Sequence, residues 1–161
     1  MIWQTSSTSS ADTESLGELL GRNLSGGEII ELRSDLGGGK TTFVRGLVRG
    51  AGSQDRVASP TFTFNKVYKA GKLTIYHFDF YRLDDPGILK EQLAETLDDK
   101  RNITLIEWAD IVSDVLPNER LSIEFKPTAT SPDEREITIY YSEPQAELVA
   151  RLETAWQESR P

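Results

Sequence analysis

The feature that most constrains this chain is a bend of three consecutive glycines, 37–39, followed at once by Lys40, Thr41 and Thr42. Counted from Ser34, the segment fits the pattern G-x-x-x-x-G-K-[ST] everywhere except at its first position, where serine replaces glycine. Glycines let successive backbone N–H groups curl around an anion, and the N-terminus of a following helix adds partial positive charge. The segment therefore predicts a phosphate-binding loop.

The residues on either side of the bend supply the context that such a loop needs. A β-branched run at 28–33 precedes it, and apolar residues at helical spacing follow it, with Gly52 placed to end the helix. We expect the Lys40 ammonium to lie against the β- and γ-phosphates of ATP and the Thr41 hydroxyl to bind Mg²⁺. The alternative is a glycine-rich turn with Lys40 on the first exposed turn of the helix.

Two carboxylates are placed to complete a metal site. The predicted strands 73–78 and 102–106 run directly into Asp79 and Glu107, and ligands of open α/β sheets gather at such strand ends. Mg²⁺ prefers oxygen ligands, so one acid would assist the metal and the other would orient water or metal-bound water. The sequence does not assign the two roles. The alternative is that both acids are solvated strand ends or pair with arginine, Arg82 being the obvious partner of Asp79.

Further residues near these strands have less specific signals. The segment Ser59-Pro60-Thr61 lies where P-loop proteins sense the γ-phosphate, although it also fits a proline turn entering a strand. His77 shares a strand face with Asp79, and we interpret it as a packed, hydrogen-bonded residue and not as a general base. Trp108 belongs either to the core or to the neighbourhood of the nucleotide.

The remaining pattern mixes helices and strands and favours an α/β fold with a largely buried sheet. The chain has 161 residues, which suits one domain, 1–161. Helices are predicted at 12–24, 88–97 and 145–156, further strands at 62–68, 121–125 and 136–141, and a loop or helix entry at 6–10.

Charge and composition exclude several classes of function. Lys and Arg number 18 and Asp and Glu 26, so the net charge is 18 − 26 = −8, which disfavours a free-standing DNA clamp. The chain contains no cysteine, which excludes disulfides, thiolate metal sites and cysteine nucleophiles. The first residues lack the basic segment followed by an apolar segment that is typical of a signal peptide. We therefore expect a soluble, unexported, cytoplasmic protein without membrane contact.

Four motifs follow one another along the chain: the strings 35–43 (DLGGGKTTF), 59–62 (SPTF), 77–83 (HFDFYRL) and 106–108 (IEW). Together they resemble the TsaE family, the ATPase component of bacterial tRNA threonylcarbamoyladenosine (t6A) biosynthesis. Ser34 stands where the family usually has glycine, and Phe80 where it often has leucine. The resemblance spans the chain from about Thr13 to Trp108. The strands and the helix that are predicted after Trp108 are inferred from hydrophobic periodicity alone.

The resemblance implies a single-domain P-loop NTPase fold with a mixed, mostly parallel central sheet flanked by helices. It implies an Mg²⁺-dependent ATPase, weak in isolation, that is required for threonylcarbamoyl-adenosine at position 37 of tRNAs. The implied partners are TsaD and TsaB, with tRNA contacted only through their complex. The cofactors are ATP and Mg²⁺.

The resemblance also assigns roles to residues. Catalytic roles fall to Lys40, Asp79 and Glu107, the metal would be held by Thr41, Glu107 and Asp79, and the switch would be Ser59, Pro60 and Thr61. The implied nucleotide-binding residues are Thr13, Asp35, Leu36, Gly37, Gly38, Gly39, Lys40, Thr41, Thr42 and Arg135.

Two other functions stay open at this stage. A small-molecule P-loop kinase would need an acceptor pocket and a lid with arginines, and no run of basic residues suits such a lid. A GTP-binding switch usually carries Asn-Lys-x-Asp, whereas the chain has Asn65-Lys66-Val67-Tyr68 and lacks the acid.

Overall fold

A central β-strand leads directly into the glycine bend and from there into a helix. A computed structural model describes residues 1–35, 37–60 and 63–161. Its strands are β1 (Ile2–Ser7), β2 (Ile29–Arg33), β3 (Asn65–Ala70), β4 (Leu73–Asp79), β5 (Asn102–Glu107), β6 (Leu121–Pro127) and β7 (Arg135–Tyr140). The helices are α1 (Ser10–Arg22), α2 (Lys40–Gly50), α3 (Ile88–Leu97) and α4 (Ala146–Ser159), with short 3₁₀ turns at Ala109–Val112 and Glu143–Gln145.

The described strands form one mixed sheet in the order β1-β7-β6-β2-β5-β4-β3. The central pairings, β6 with β2, β2 with β5, and β5 with β4, are parallel. The outer pairings, β1 with β7, β7 with β6, and β4 with β3, are antiparallel. The α/β fold with a mixed sheet is therefore as predicted, and its parallel part brings the carboxyl ends of β2, β4 and β5 to one edge.

Helices cover the two faces of the sheet unequally. On one face, α1, α2 and α4 enclose a core that includes Leu16, Phe43, Leu47 and Leu152. On the other face, α3 packs over β4 and β5 in a smaller cluster around Leu93. None of the helices in the described part of the chain is both long enough and apolar enough to cross a bilayer.

Close contact between α1 and α2 holds the helix that follows the glycine bend. A Cβ added to Gly17 would lie 2.1 Å from the carbonyl oxygen of Phe43, and one added to Gly46 would lie 1.9 Å from that of Glu14. The two helix backbones can touch only because these positions carry no side chain. This contact ties α2, and with it the bend, to the N-terminal helix.

The main error of the sequence prediction is at the N-terminus. Residues 6–10 were expected to form a loop or helix entry, but Ser6 and Ser7 belong to strand β1, which pairs with β7 over its whole length. Long-range contacts explain the strand, because Trp156 Nε1 on α4 donates a 2.7 Å hydrogen bond to Thr5 Oγ1. Ser6 and Ser7 adopt a strand through pairing and not through local preference, whereas Ser9 caps helix α1 and Ser10 begins it, as the predicted helix entry requires.

Most other elements agree with the sequence prediction. The helix at 88–97, the antiparallel pair β6 and β7, and the closing helix are all present, with Trp156 buried. Strand β3 begins at Asn65, later than the predicted 62, and Phe62 lies outside the described residues. Helix α2 ends at Gly50, and Gly52 follows with φ of 101°.

Candidate functional site

A cleft of about 370 Å³ opens at the sheet edge where β2, β4 and β5 end. Asp79 and Glu107 face each other there as paired residues on β4 and β5. The cleft is lined by Ser10, Gly37, Gly38, Gly39, Lys40, Thr41, Thr42, Ser59, Asp79, Glu107, Asp133 and Arg135. The structure thus brings the glycine bend, both strand-end acids and one residue of the predicted switch to a single opening.

The glycine bend takes a backbone path that side chains would hinder. Gly37 and Gly39 have φ of 76° and 101°, in the region that favours glycine. A Cβ on Gly38 would lie 2.3 Å from Ser34 Oγ. Gly39 caps α2 without a side-chain hydrogen bond, so the first N–H groups of the helix remain available to an anion in the cleft.

Ser34 fits the first position of the loop without a left-handed backbone. Its φ is not among the positive values of the chain, and its hydroxyl donates a 2.8 Å hydrogen bond to the carbonyl oxygen of Asp35. Asp35 is exposed, and Leu36 lies outside the described residues. The serine is therefore compatible with the bend.

Lys40 is buried at the inner wall of the cleft. Its Nζ donates a 3.3 Å hydrogen bond to the carbonyl oxygen of Ser34 and lies 3.8 Å from Glu107 Oε2. The same ammonium stands 4.8 Å from the centre of the Trp108 ring. Trp108, whose backbone is left-handed with φ of 56°, thus contacts Lys40 from a neighbouring pocket of about 240 Å³ that both residues line.

Glu107 is buried and held from two sides. His77 Nε2 lies 3.0 Å from Glu107 Oε1, and Lys40 approaches the other oxygen. Burial alone would raise the pKa of Glu107, but the hydrogen bond with His77, the charge of Lys40 and a hydrogen bond with Asp79 together lower it. Glu107 is therefore ionised at neutral pH, and His77 is hydrogen-bonded and packed, as predicted.

Asp79 is buried beside Glu107 at the end of β4. Its Oδ1 accepts a 2.9 Å hydrogen bond from the backbone N–H of Tyr81, and its own N–H donates to the carbonyl oxygen of Phe64. Arg82, the partner considered from sequence, places its guanidinium 4.9 Å from the centre of the Tyr81 ring. The hydrogen bond from Tyr81 thus helps to hold the Asp79 carboxylate at the cleft wall.

The cleft offers the donor set that suits Mg²⁺ bound together with phosphates. The hydroxyl of Thr41 and the carboxylates of Asp79 and Glu107 line the same opening, and all are hard oxygen donors. In the described part of the chain, no three or more His, Cys, Asp or Glu side chains form a self-sufficient metal centre. Mg²⁺ sites commonly use one or two carboxylates and complete their shell with phosphate and water, so these residues fit the ion.

Arg135 and Thr13 approach the glycine bend from distant parts of the sequence. Arg135, at the start of β7, donates from Nε to the carbonyl oxygen of Gly38 at 3.1 Å and lines the cleft. Thr13 is buried beneath the loop, with its hydroxyl 2.6 Å from Ser7 Oγ and its methyl carbon 3.9 Å from where a Cβ of Gly39 would lie. Arg135 thus reaches the opening directly, whereas Thr13 supports the loop from behind.

The predicted switch is described in part. Ser59 lines the cleft, and the carbonyl oxygen of Pro60 accepts hydrogen bonds from the backbone N–H groups of Thr63 and Phe64. Thr61 lies outside the described residues. Ser10 and Asp133, which sequence reasoning missed, also line the cleft, and neither carries a local signal that could have identified it.

Comparisons with known proteins agree on one family. A family model described as threonylcarbamoyl adenosine biosynthesis protein TsaE matches residues 7–137. A relative from Bacillus subtilis (strain 168), named tRNA threonylcarbamoyladenosine biosynthesis protein TsaE, is 40% identical over 130 residues, covering 79% of this chain and 78% of the relative. One of the same name from Treponema pallidum (strain Nichols) is 38% identical over 133 residues, covering 83% and 96%. The crystal structure of Bacillus subtilis YdiB is similar with a TM-score of 0.77 and 31% identity, covering 96% of both chains.

Proposed function

Because the chain belongs to the TsaE family of threonylcarbamoyl adenosine biosynthesis proteins, we propose that it is an Mg²⁺-dependent P-loop ATPase of tRNA t6A formation. In this proposal, its nucleotide state controls interaction with a TsaD–TsaB threonylcarbamoyl transferase complex, and tRNA is contacted through those partners. The supporting observation is the single cleft that contains the glycine bend, Lys40, Thr41, Asp79 and Glu107.

The chain's own groups account for binding of a triphosphate. The N–H groups at the start of α2 would donate to phosphate oxygens. Lys40 would turn from Glu107 toward the β- and γ-phosphates, where its charge offsets theirs. Arg135 would keep the bend in place by holding the carbonyl oxygen of Gly38.

The metal would be held by the hydroxyl of Thr41 with Asp79 and Glu107, directly or through water. When bound, Mg²⁺ would supply charge neutralisation at the phosphates. The ionised carboxylate of Glu107 and the buried carboxylate of Asp79 would then fix the metal-bound or attacking water.

We expect slow turnover by the isolated chain because the cationic side chains in the cleft already hydrogen-bond to the loop. The ammonium of Lys40 and the guanidinium of Arg135 already serve the loop, and a further cation supplied by a partner is worth ~10³-fold or more in related reactions. An acidic surface of net charge −8 agrees with tRNA being held by the partners.

Phosphate release measured with and without purified TsaD and TsaB tests the proposal. We expect slow Mg²⁺-dependent release by the chain alone, a faster rate with the partners, and neither with Lys40→Ala. An unchanged rate on adding the partners would contradict partner-controlled hydrolysis. Transfer of the γ-phosphoryl group to a metabolite would favour a kinase instead, and preference for GTP in a competition assay would favour a GTP-binding switch.

A further inference from the structure

His77 is a buried residue whose imidazole lies within hydrogen-bond distance of a carboxylate on the neighbouring strand, that of Glu107. It lies on β4 between Ile75 and Asp79, with only 1% of its surface exposed. Ile75 faces the core and Asp79 faces the cleft, so the imidazole lies at the boundary between the two. Its Nε2 lies 3.0 Å from Glu107 Oε1.

The other ring nitrogen indicates which one carries the proton. Nδ1 is buried and has no hydrogen-bond partner within the described residues. A buried N–H without an acceptor is costly, whereas an unshared lone pair costs less. The arrangement therefore favours the neutral tautomer with the proton on Nε2, which donates to Glu107 Oε1.

The two oxygens of Glu107 consequently have different surroundings. Oε1 is held by His77, whereas Oε2 is 3.8 Å from the ammonium of Lys40 beside the glycine bend. A carboxylate on a flexible side chain would otherwise rotate, and residues that hydrogen bond to a metal ligand commonly fix its orientation.

We propose that His77 is a positioning residue that fixes the Glu107 carboxylate so that Oε2 faces the Mg²⁺–nucleotide site. The inference rests on the proposed function, because it assigns Glu107 to the metal. His77 is not among the described residues that line the cleft, so we assign it no catalytic role. The lowered pKa of Glu107 agrees with this role: burial would raise it, and among the opposing effects the hydrogen bond from His77 is the largest.

A purely structural role would give a different result from a positioning role. If His77 only fills space at the core boundary, replacing it changes stability and leaves the metal dependence of nucleotide binding unaltered. If it orients Glu107, replacement weakens the response to Mg²⁺ even where the fold is retained.

Three variants separate the two roles. In His77→Gln, the side-chain amide nitrogen is as many covalent bonds from Cβ as Nε2 is in histidine. It can therefore still donate to Glu107. In His77→Asn, an amide is kept but is too short to reach, and His77→Leu removes the donor while keeping an apolar side chain. If the leucine variant fails to fold, the comparison of Gln with Asn carries the test.

The measurement is calorimetric titration of ADP into each protein, once in EDTA and once in a series of Mg²⁺ concentrations. We expect equal affinity in EDTA for all folded variants. The Mg²⁺ concentration for half-maximal effect should rise about tenfold or more for Asn and Leu and return toward the wild type for Gln. If His77→Asn kept the Mg²⁺ dependence of the wild type, or if His77→Gln and His77→Asn did not differ, the positioning role would be overturned. The proposed function would be unaffected by that result. Failure of the wild type to bind ADP would overturn the proposed function as well.

Discussion

The ammonium of Lys40 lies 3.8 Å from Glu107 Oε2, and both side chains are buried. The same ammonium faces the Trp108 ring. Under the proposed function, a bound phosphate would compete with Glu107 for the charge of Lys40. Nucleotide binding would then release the Glu107 carboxylate when a metal accompanies the phosphates.

Glu107→Gln should separate chemistry from stability. The amide keeps the size of the side chain and an acceptor for His77 but lacks the charge that a metal or its water requires. Mg²⁺-dependent phosphate release should fall by about 100-fold or more, and the loss of stability on thermal unfolding should be smaller in free energy than this loss of activity. Glu95→Gln, an exposed change on α3, is the control that should alter neither. Equal losses of activity and stability would indicate that Glu107 is only a structural acid.

The lowered pKa of Glu107 predicts a pH-dependent contribution to stability. A carboxyl whose pKa is lower in the folded state contributes stability above its unfolded pKa, near 4.5, and loses that contribution as the pH falls through the folded value. The difference in unfolding free energy between the wild type and Glu107→Gln should therefore shrink on going from about pH 7 to about pH 4. Urea denaturation at the two pH values measures it, and a constant or growing difference would contradict the assigned direction.

Arg135→Ala should loosen the glycine bend. The guanidinium holds the carbonyl oxygen of Gly38, and a hydrogen bond from a charged donor is worth about 1.5–3 kcal/mol, equivalent to roughly a tenfold change in affinity or more. Affinity for ATP should fall by about that factor. The matched control is Arg151→Ala, which removes only an exposed pair with Glu147 on α4. Unchanged affinity in Arg135→Ala would show that the contact does not support the bend.

Gly46→Ala should test the contact between the two N-terminal helices. Its Cβ would lie 1.9 Å from the carbonyl oxygen of Glu14, so α1 and α2 would have to separate. We expect a loss of about 3 kcal/mol in unfolding free energy by urea denaturation, as for severe overpacking. The neighbouring Arg45→Ala removes a 3.8 Å exposed ion pair and should cost less than about 1 kcal/mol. Comparable stability of the two variants would contradict the tight packing.

The parts of the site that sequence alone could predict depend on short-range patterns. The glycine bend needs only the strand before it and the helix after it, and both are local. Asp79 and Glu107 could be placed because the carboxyl ends of parallel strands meet at one edge of a sheet. His77 could be placed on the same face as Asp79 by strand alternation, but its hydrogen-bond partner on the next strand could not.

The parts that sequence missed depend on distant contacts. Strand β1 ends in the small polar residues Thr5, Ser6 and Ser7, and it forms because β7 supplies hydrogen bonds and α4 supplies Trp156. The hydrogen bond from Arg135 to Gly38 joins residues that are far apart in sequence, and no local pattern predicts it. The close approach of Gly17 to Phe43 likewise depends on how two helices cross.

Calorimetric titration of ATP with Mg²⁺ into the wild type and Lys40→Ala tests the central claim most directly, since that claim is that the glycine bend and its lysine bind the triphosphate. Loss of a charge-assisted contact to phosphate should weaken the affinity by roughly 10- to 100-fold, while the exposed Lys72→Ala should bind like the wild type. Equal affinity of wild type and Lys40→Ala for ATP would contradict the account.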